Sequence, residues 1–197
     1  MLRAGGSVNT DLSYITSSSL FSLSSVSLGS PNNFRYIVLS FGLLGSSRQN
    51  PSLLSVSVSG VPASLVTTAG SGFTRASIWL AYVPLGSTGS ITYTASFVNS
   101  VESYVSVYRL LTSSGSTAYD TQTGTTSTNL SVPEKGVAVG GCVYPGSVSN
   151  VWTNLSEDFQ RTDFYLSFSS AHAIELTAGS LAISVTNSQN LATASWL

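Results

Sequence analysis

From residue 34 onward, apolar positions recur with a period of two rather than the roughly 3.6 of a helix. Phe34-Arg35-Tyr36-Ile37-Val38-Leu39-Ser40-Phe41 is apolar on both faces, the pattern of a central strand covered on two sides. Residues 53–59 alternate cleanly, and residues 75–83 form an aromatic strand around Trp79 and Tyr82. Further strands are predicted over 63–68, 90–97, 104–111, 127–132, 136–144, 163–170, 181–187 and 191–196. About ten to twelve short strands, separated by Gly/Pro/Ser/Asn turns, predict an all-β chain built as an antiparallel β-sandwich of Ig-like or jelly-roll type. No stretch carries the period of an amphipathic helix. Residues 154–161 can close one helical turn, because Ser156, Glu157 and Asp158 suit a helix start.

Residues 1–33 read differently. They are rich in Ser, with Leu and Val between, and end in the turn cluster Gly29-Ser30-Pro31-Asn32-Asn33. The expectation is an extended N-terminal arm over 1–33 ahead of a single sandwich domain over 34–197. Fully extended, such an arm reaches at most about 110 Å. Its apolar residues Leu12, Tyr14, Ile15, Leu20, Phe21, Leu23, Val26 and Leu28 are the expected anchors on a neighbouring subunit or another protein. No internal repeat shows at a fixed period. Residues 112–128, dominated by Thr, Ser and Gly, read as a long functional loop or an exposed edge.

Composition narrows the function classes. Charged residues make up only 8% of the 197, against about 25% in an ordinary soluble domain. Ser and Thr number 41 and 20, so hydroxyls rather than charges must cover the surface. Seven Lys and Arg, with Lys135 the sole lysine, argue against a nucleic-acid partner, which needs basic clusters for phosphate contacts. No apolar run approaches the roughly 20 residues of a membrane-spanning helix, so no membrane partner is expected. The N-terminus lacks the apolar core of a signal peptide, and synthesis in the cytoplasm without export is the expectation.

The chemistry-bearing residues are few. His172 is the single histidine and Cys142 the single cysteine, so no disulfide within the chain and no Cys/His zinc cluster can form. Asp163 and Glu175 are carboxylates that could orient His172, but no Gly-x-Ser-x-Gly elbow presents a nucleophile. Glu157, Asp158 and Asp163 surround Arg161 without the alternating spacing of a calcium loop. No catalytic residue, no metal site and no cofactor is expected. Trp79 lies in a core-like strand, and Trp196 at the C-terminus suits closing the sheet or docking on a partner. Trp152, in a loop-like stretch, is the expected surface aromatic for a ligand. Asn129-Leu130-Ser131 and Asn154-Leu155-Ser156 match the glycosylation pattern and are read as chance matches.

The order of segments carries a resemblance. Ser57-Val58-Ser59-Gly60-Val61-Pro62-Ala63 is followed by Ala76-Ser77-Ile78-Trp79-Leu80-Ala81-Tyr82-Val83-Pro84-Leu85-Gly86-Ser87 and then by Ser90-Ile91-Thr92-Tyr93. Later come Gly136-Val137-Ala138-Val139-Gly140-Gly141, residues 151–159, and Gly179-Ser180-Leu181-Ala182-Ile183-Ser184-Val185-Thr186. This succession resembles a β-sandwich module of bacteriophage virion proteins and some bacterial surface proteins. The resemblance covers residues 34–197 and implies a sandwich displayed on a particle or cell surface, with no catalytic residues to carry over. The expectation that follows is a non-enzymatic virion structural protein, most like a capsid decoration (cement) protein that binds the outer shell. Its partners would be the major capsid protein or other virion proteins, and it would act as a homo-oligomer, a trimer suiting a decoration role. A tail, collar or fibre component and a glycan-binding surface module are the alternatives.

Overall fold

The computed structural model describes residues 12–15, 20–45, 51–96 and 101–197. Among them there is no helix, and 17 strands follow one another along the chain. The first nine are β1 (Leu12–Ile15), β2 (Leu20–Ser27), β3 (Arg35–Leu44), β4 (Ser52–Val58), β5 (Val61–Pro62), β6 (Ser64–Ser71), β7 (Thr74–Tyr82), β8 (Thr88–Ser96) and β9 (Val101–Leu111). After residues 112–119 come β10 (Asp120–Gly124), β11 (Ser127–Val132), β12 (Gly136–Pro145), β13 (Trp152–Thr153), β14 (Ser156–Thr162), β15 (Leu166–Leu176), β16 (Gly179–Val185) and β17 (Asn190–Trp196).

These strands make four antiparallel sheets. The first half supplies an outer sheet, β2-β8-β4-β5, and an inner sheet, β1-β9-β3-β7-β6. The second half supplies an inner sheet, β10-β17-β12-β15-β14, and an outer sheet, β11-β16-β13. Three apolar cores lie between the four layers. Phe21, Leu23 and Ile91 of the first outer sheet meet Ile37, Leu39 and Trp79 of the first inner sheet. Val38, Ile78 and Leu80 on the opposite face of that inner sheet meet Val139, Val143 and Trp196 of the second. Ala138, Cys142 and Leu191 then meet Leu130, Ile183 and Val185 of the second outer sheet. The two-faced apolar pattern of β3 has its explanation here. Odd positions from 37 to 41 face outward toward the first outer sheet, while Val38 faces the second half. Each fully buried Leu, Ile or Phe contributes roughly 1.5–3 kcal/mol.

The two halves share one topology. In each, the first strand pairs with the last (β1–β9, β10–β17), the second with the second-last (β2–β8, β11–β16), and the third with the third-last (β3–β7, β12–β15). That nesting is the jelly roll, one of the two sandwich types the pattern predicts. The last strand also pairs with the third in both halves (β9–β3, β17–β12). The chain is therefore two jelly rolls in tandem, packed through their inner sheets.

Contact between the inner sheets is close because the side chains there are small. A Cβ on Gly42 would overlap the Phe168 ring and lie 2.8 Å from Val143 Cγ1, and one on Gly141 would overlap the Ser40 hydroxyl. Strand β9 runs against β15 in matched pairs. Tyr104 stacks near Phe168 at 6.2 Å between centroids, Ser170 donates to Ser106 at 2.6 Å, and Tyr108 lies 6.2 Å from His172.

Several sequence expectations are corrected. Residues 20–28 are not arm: β2 pairs with β8, and Phe21, Leu23, Val26 and Leu28 are buried in the chain's own first core. The alternation of Phe21 and Leu23 with Ser22 and Ser24 is that of a strand with one wet face. Within residues 34–197 the strands form two sandwich units that share a central core. Residues 154–161 form no helical turn, since β14 occupies most of that stretch. Of the expected loop over 112–128, residues 120–124 and 127–128 are strand, in β10 and the start of β11.

The hydroxyl-rich composition also finds its place. On the first outer sheet Ser57 and Thr92 hydrogen-bond side chain to side chain at 2.6 Å on the solvent side. On the second outer sheet Ser127, Asn129 and Ser131 are the exposed partners of buried Thr128, Leu130 and Val132. Ser and Thr there satisfy the wet face of a strand without charge.

Candidate functional site

Of the expected anchors, Leu20 alone among the described side chains faces solvent, at 61% exposure. Leu12, Tyr14 and Ile15 belong to β1, whose backbone pairs with β9 at Leu12–Ser103 and Ile15–Val101; their side chains lie outside the described residues. Trp152 is a core residue rather than a surface aromatic. Its ring packs over Gly140, and its indole N–H donates to Ser169 Oγ at 2.7 Å. Ser169 in turn donates to Glu157 at 2.9 Å, so the indole nitrogen is satisfied inside the fold. Sequence context misplaced it because β13 is only two residues long, too short for alternation to register.

Two pairs of titratable groups are held locally. Asp158 sits at the register shift of β14 against β15, and His172 Nδ1 lies 2.7 Å from its carboxylate, both side chains 15% exposed. The orienting carboxylate is thus Asp158, not the Asp163 or Glu175 expected. Arg161 Nε donates to Asp163 Oδ2 at 3.3 Å, and the Tyr104 hydroxyl donates to the same oxygen. The Tyr104 bond, aided by Arg161, holds the Asp163 carboxyl below its ordinary range against the opposing effect of burial. Cys142 is buried, and burial pushes its thiol up to about 12, so it is inert. Among the described residues no group of three or more His, Cys, Asp and Glu is placed to hold a metal.

Arg35 is fully buried, and among the described residues its guanidinium bonds carbonyls rather than a carboxylate. Its Nε donates to Val83 O at 2.6 Å, Nη1 to Leu28 O and Gly29 O, and Nη2 to Leu85 O and Gly86 O. All five donors are used, tying the β2–β3 turn to the β7–β8 turn.

An open cleft of about 530 Å³ lies where the two jelly rolls meet. Tyr36, Tyr82 and Leu65 form one wall, and Ser116, Thr117 and Thr121 form the other. Tyr36 and Tyr82 are cross-strand partners on β3 and β7, with centroids 5.1 Å apart and planes 49° from parallel. Tyr82 donates its hydroxyl to Asn33 O at 2.9 Å, which fixes a ring that is 45% exposed. The opposite wall is held by Asp120, which accepts from Thr121 N at 2.8 Å, Ser131 N at 2.7 Å and Gln122 Nε2 at 3.2 Å. Burial pushes the Asp120 carboxyl up, but these bonds outweigh it and hold it low. The sequence flagged residues 112–128 but not the tyrosines, because Tyr36 and Tyr82 sit within strands whose pattern reads as core.

No protein-family model, no curated protein and no solved structure matches the chain. The cleft is lined by uncharged described residues, and the His172–Asp158 and Arg161–Asp163 pairs lie outside its lining.

Proposed function

We propose that this chain is a non-enzymatic structural protein of a bacteriophage virion, acting as a capsid decoration protein that binds and stabilises the outer shell. The observation that carries the reading is the four-layer stack itself. Two jelly rolls share the central one of three apolar cores and turn charge-poor, hydroxyl-bearing sheets outward. Such a slab resists deformation, and its lack of charge suits close packing among many copies, where a buried unpaired charge is costly. The resemblance of its segments to virion sandwich modules points the same way. Residues 1–19 precede β2 and include Leu12, Tyr14 and Ile15; with exposed Leu20 they are the proposed partner-binding segment. Self-association as a trimer is part of this reading.

The test is co-sedimentation of the full chain with undecorated phage shells, using the wild type and a Leu12→Asp, Tyr14→Asp, Leu20→Asp triple variant. Shell binding at saturating stoichiometry, lost in the variant while its fold persists, is expected. Failure of the wild type to bind any shell contradicts the reading.

A further inference from the structure

We infer that the cleft between the two jelly rolls is a binding site for a neutral oligosaccharide. The inference does not depend on the virion reading. Three observations carry it. None of the described residues lining the cleft is charged, which disfavours phosphate, sulfate, sialic acid and charged peptides. The Tyr36–Tyr82 pair presents aromatic surface to an open space, and its tilt leaves ring faces available rather than stacked on each other. The facing wall offers the hydroxyls of Ser116, Thr117 and Thr121. A sugar ring has one face of C–H groups and an edge of hydroxyls. That face packs on an aromatic ring, and the edge exchanges hydrogen bonds with side chains that both donate and accept. The volume of about 530 Å³ lies within the range of small-ligand sites, roughly 300–1,000 Å³.

The site is also pre-organised. Tyr82 is tied to Asn33, and the wall bearing Thr121 is tied through Asp120 to Ser131, so little ordering remains when a ligand enters. One wall comes from the first jelly roll and the other from the connecting segment and β10, so the cleft exists only in the tandem arrangement.

The experiment is saturation-transfer NMR on the full chain with maltohexaose, mannotetraose and chitotetraose as neutral probes and a sialylated trisaccharide as the charged control. Transfer to at least one neutral probe, strongest on its C–H face, is expected. Tyr82→Ala should weaken that binding about tenfold. Thr117→Trp, which fills the cleft from an exposed position, should abolish it, and Tyr165→Ala on a distant turn should leave it intact. Thermal melts check that each variant is folded. No transfer to any neutral probe, equal transfer to the sialylated control, or binding that survives both cleft variants would overturn the inference.

Discussion

Tyr104, on the last strand of the first jelly roll, donates its hydroxyl to the carboxylate of Asp163, in the β14–β15 turn of the second. The bond crosses the junction between the halves and joins two groups 59 positions apart. Asp163 titrates below its ordinary value in the folded chain, so its contribution is complete above the unfolded carboxylate pKa, about 3.9. That contribution is lost as pH falls through the lower folded value. Stability measured by urea denaturation between pH 6 and about 2 should fall in this window. Tyr104→Phe should lower stability at pH 6 and flatten the acid decline. An unchanged profile in Tyr104→Phe would show that the bond carries no stability.

Glu102 works in the opposite sense. One of its carboxylate oxygens is buried without a hydrogen-bond partner, and burial, then the nearby charge of Asp163, raises its pKa. A raised acid destabilises the fold as pH rises from its unfolded value through its folded one. Glu102→Gln should therefore raise the melting temperature at pH 7, by about 1–3 °C given solvent screening. The gain should vanish below about pH 4, where both side chains are neutral. A loss of stability at pH 7 would contradict this account.

Arg35 ties two turns of the first jelly roll together. Arg35→Ala leaves five buried or half-buried carbonyls without their donor and should cost about 4 kcal/mol or more. Arg35→Lys keeps the charge but offers three donors in a different geometry, and should also destabilise, by a smaller amount. Guanidinium denaturation of both variants checks the order. If Arg35→Lys were neutral, the planar fork would not be what ties the two turns.

Trp152 provides the complementary check on the second jelly roll. As a core residue, Trp152→Ala should cost about 3–5 kcal/mol, with Trp152→Phe milder. A surface platform would tolerate both changes. The comparison reads directly on whether the indole sits over Gly140.

The fold class was legible because alternation survives wherever a strand exceeds about five residues. The two-faced apolar stretch around Val38 marked an inner strand, and β3 is one. What alternation could not carry is which sheet a strand joins. The duplication is one of connectivity: β3 and β12 are equivalent in topology, but counted from their first residues they agree at Val38 and Val139 alone, so no residue period betrays the repeat. The arm reading failed at residue 20 because Ser22, Ser24 and Ser27 look like leader composition, while Phe21, Leu23 and Val26 between them fill a core. The cleft was invisible for a related reason. Its tyrosines and its hydroxyls are far apart in sequence and meet only when the two halves pack.

That packing is the central claim, and Ser40 and Gly141 test it most directly. A Cβ on Gly141 would overlap Ser40 Oγ but lie an ordinary 3.5 Å from Ser40 Cβ. A double-mutant cycle by urea denaturation should find Gly141→Ala destabilising by about 1–3 kcal/mol. The same change in a Ser40→Ala background should cost far less, because the obstructing oxygen is gone. Equal costs in the two backgrounds would mean that β3 and β12 do not face each other, and the four-layer arrangement would be wrong.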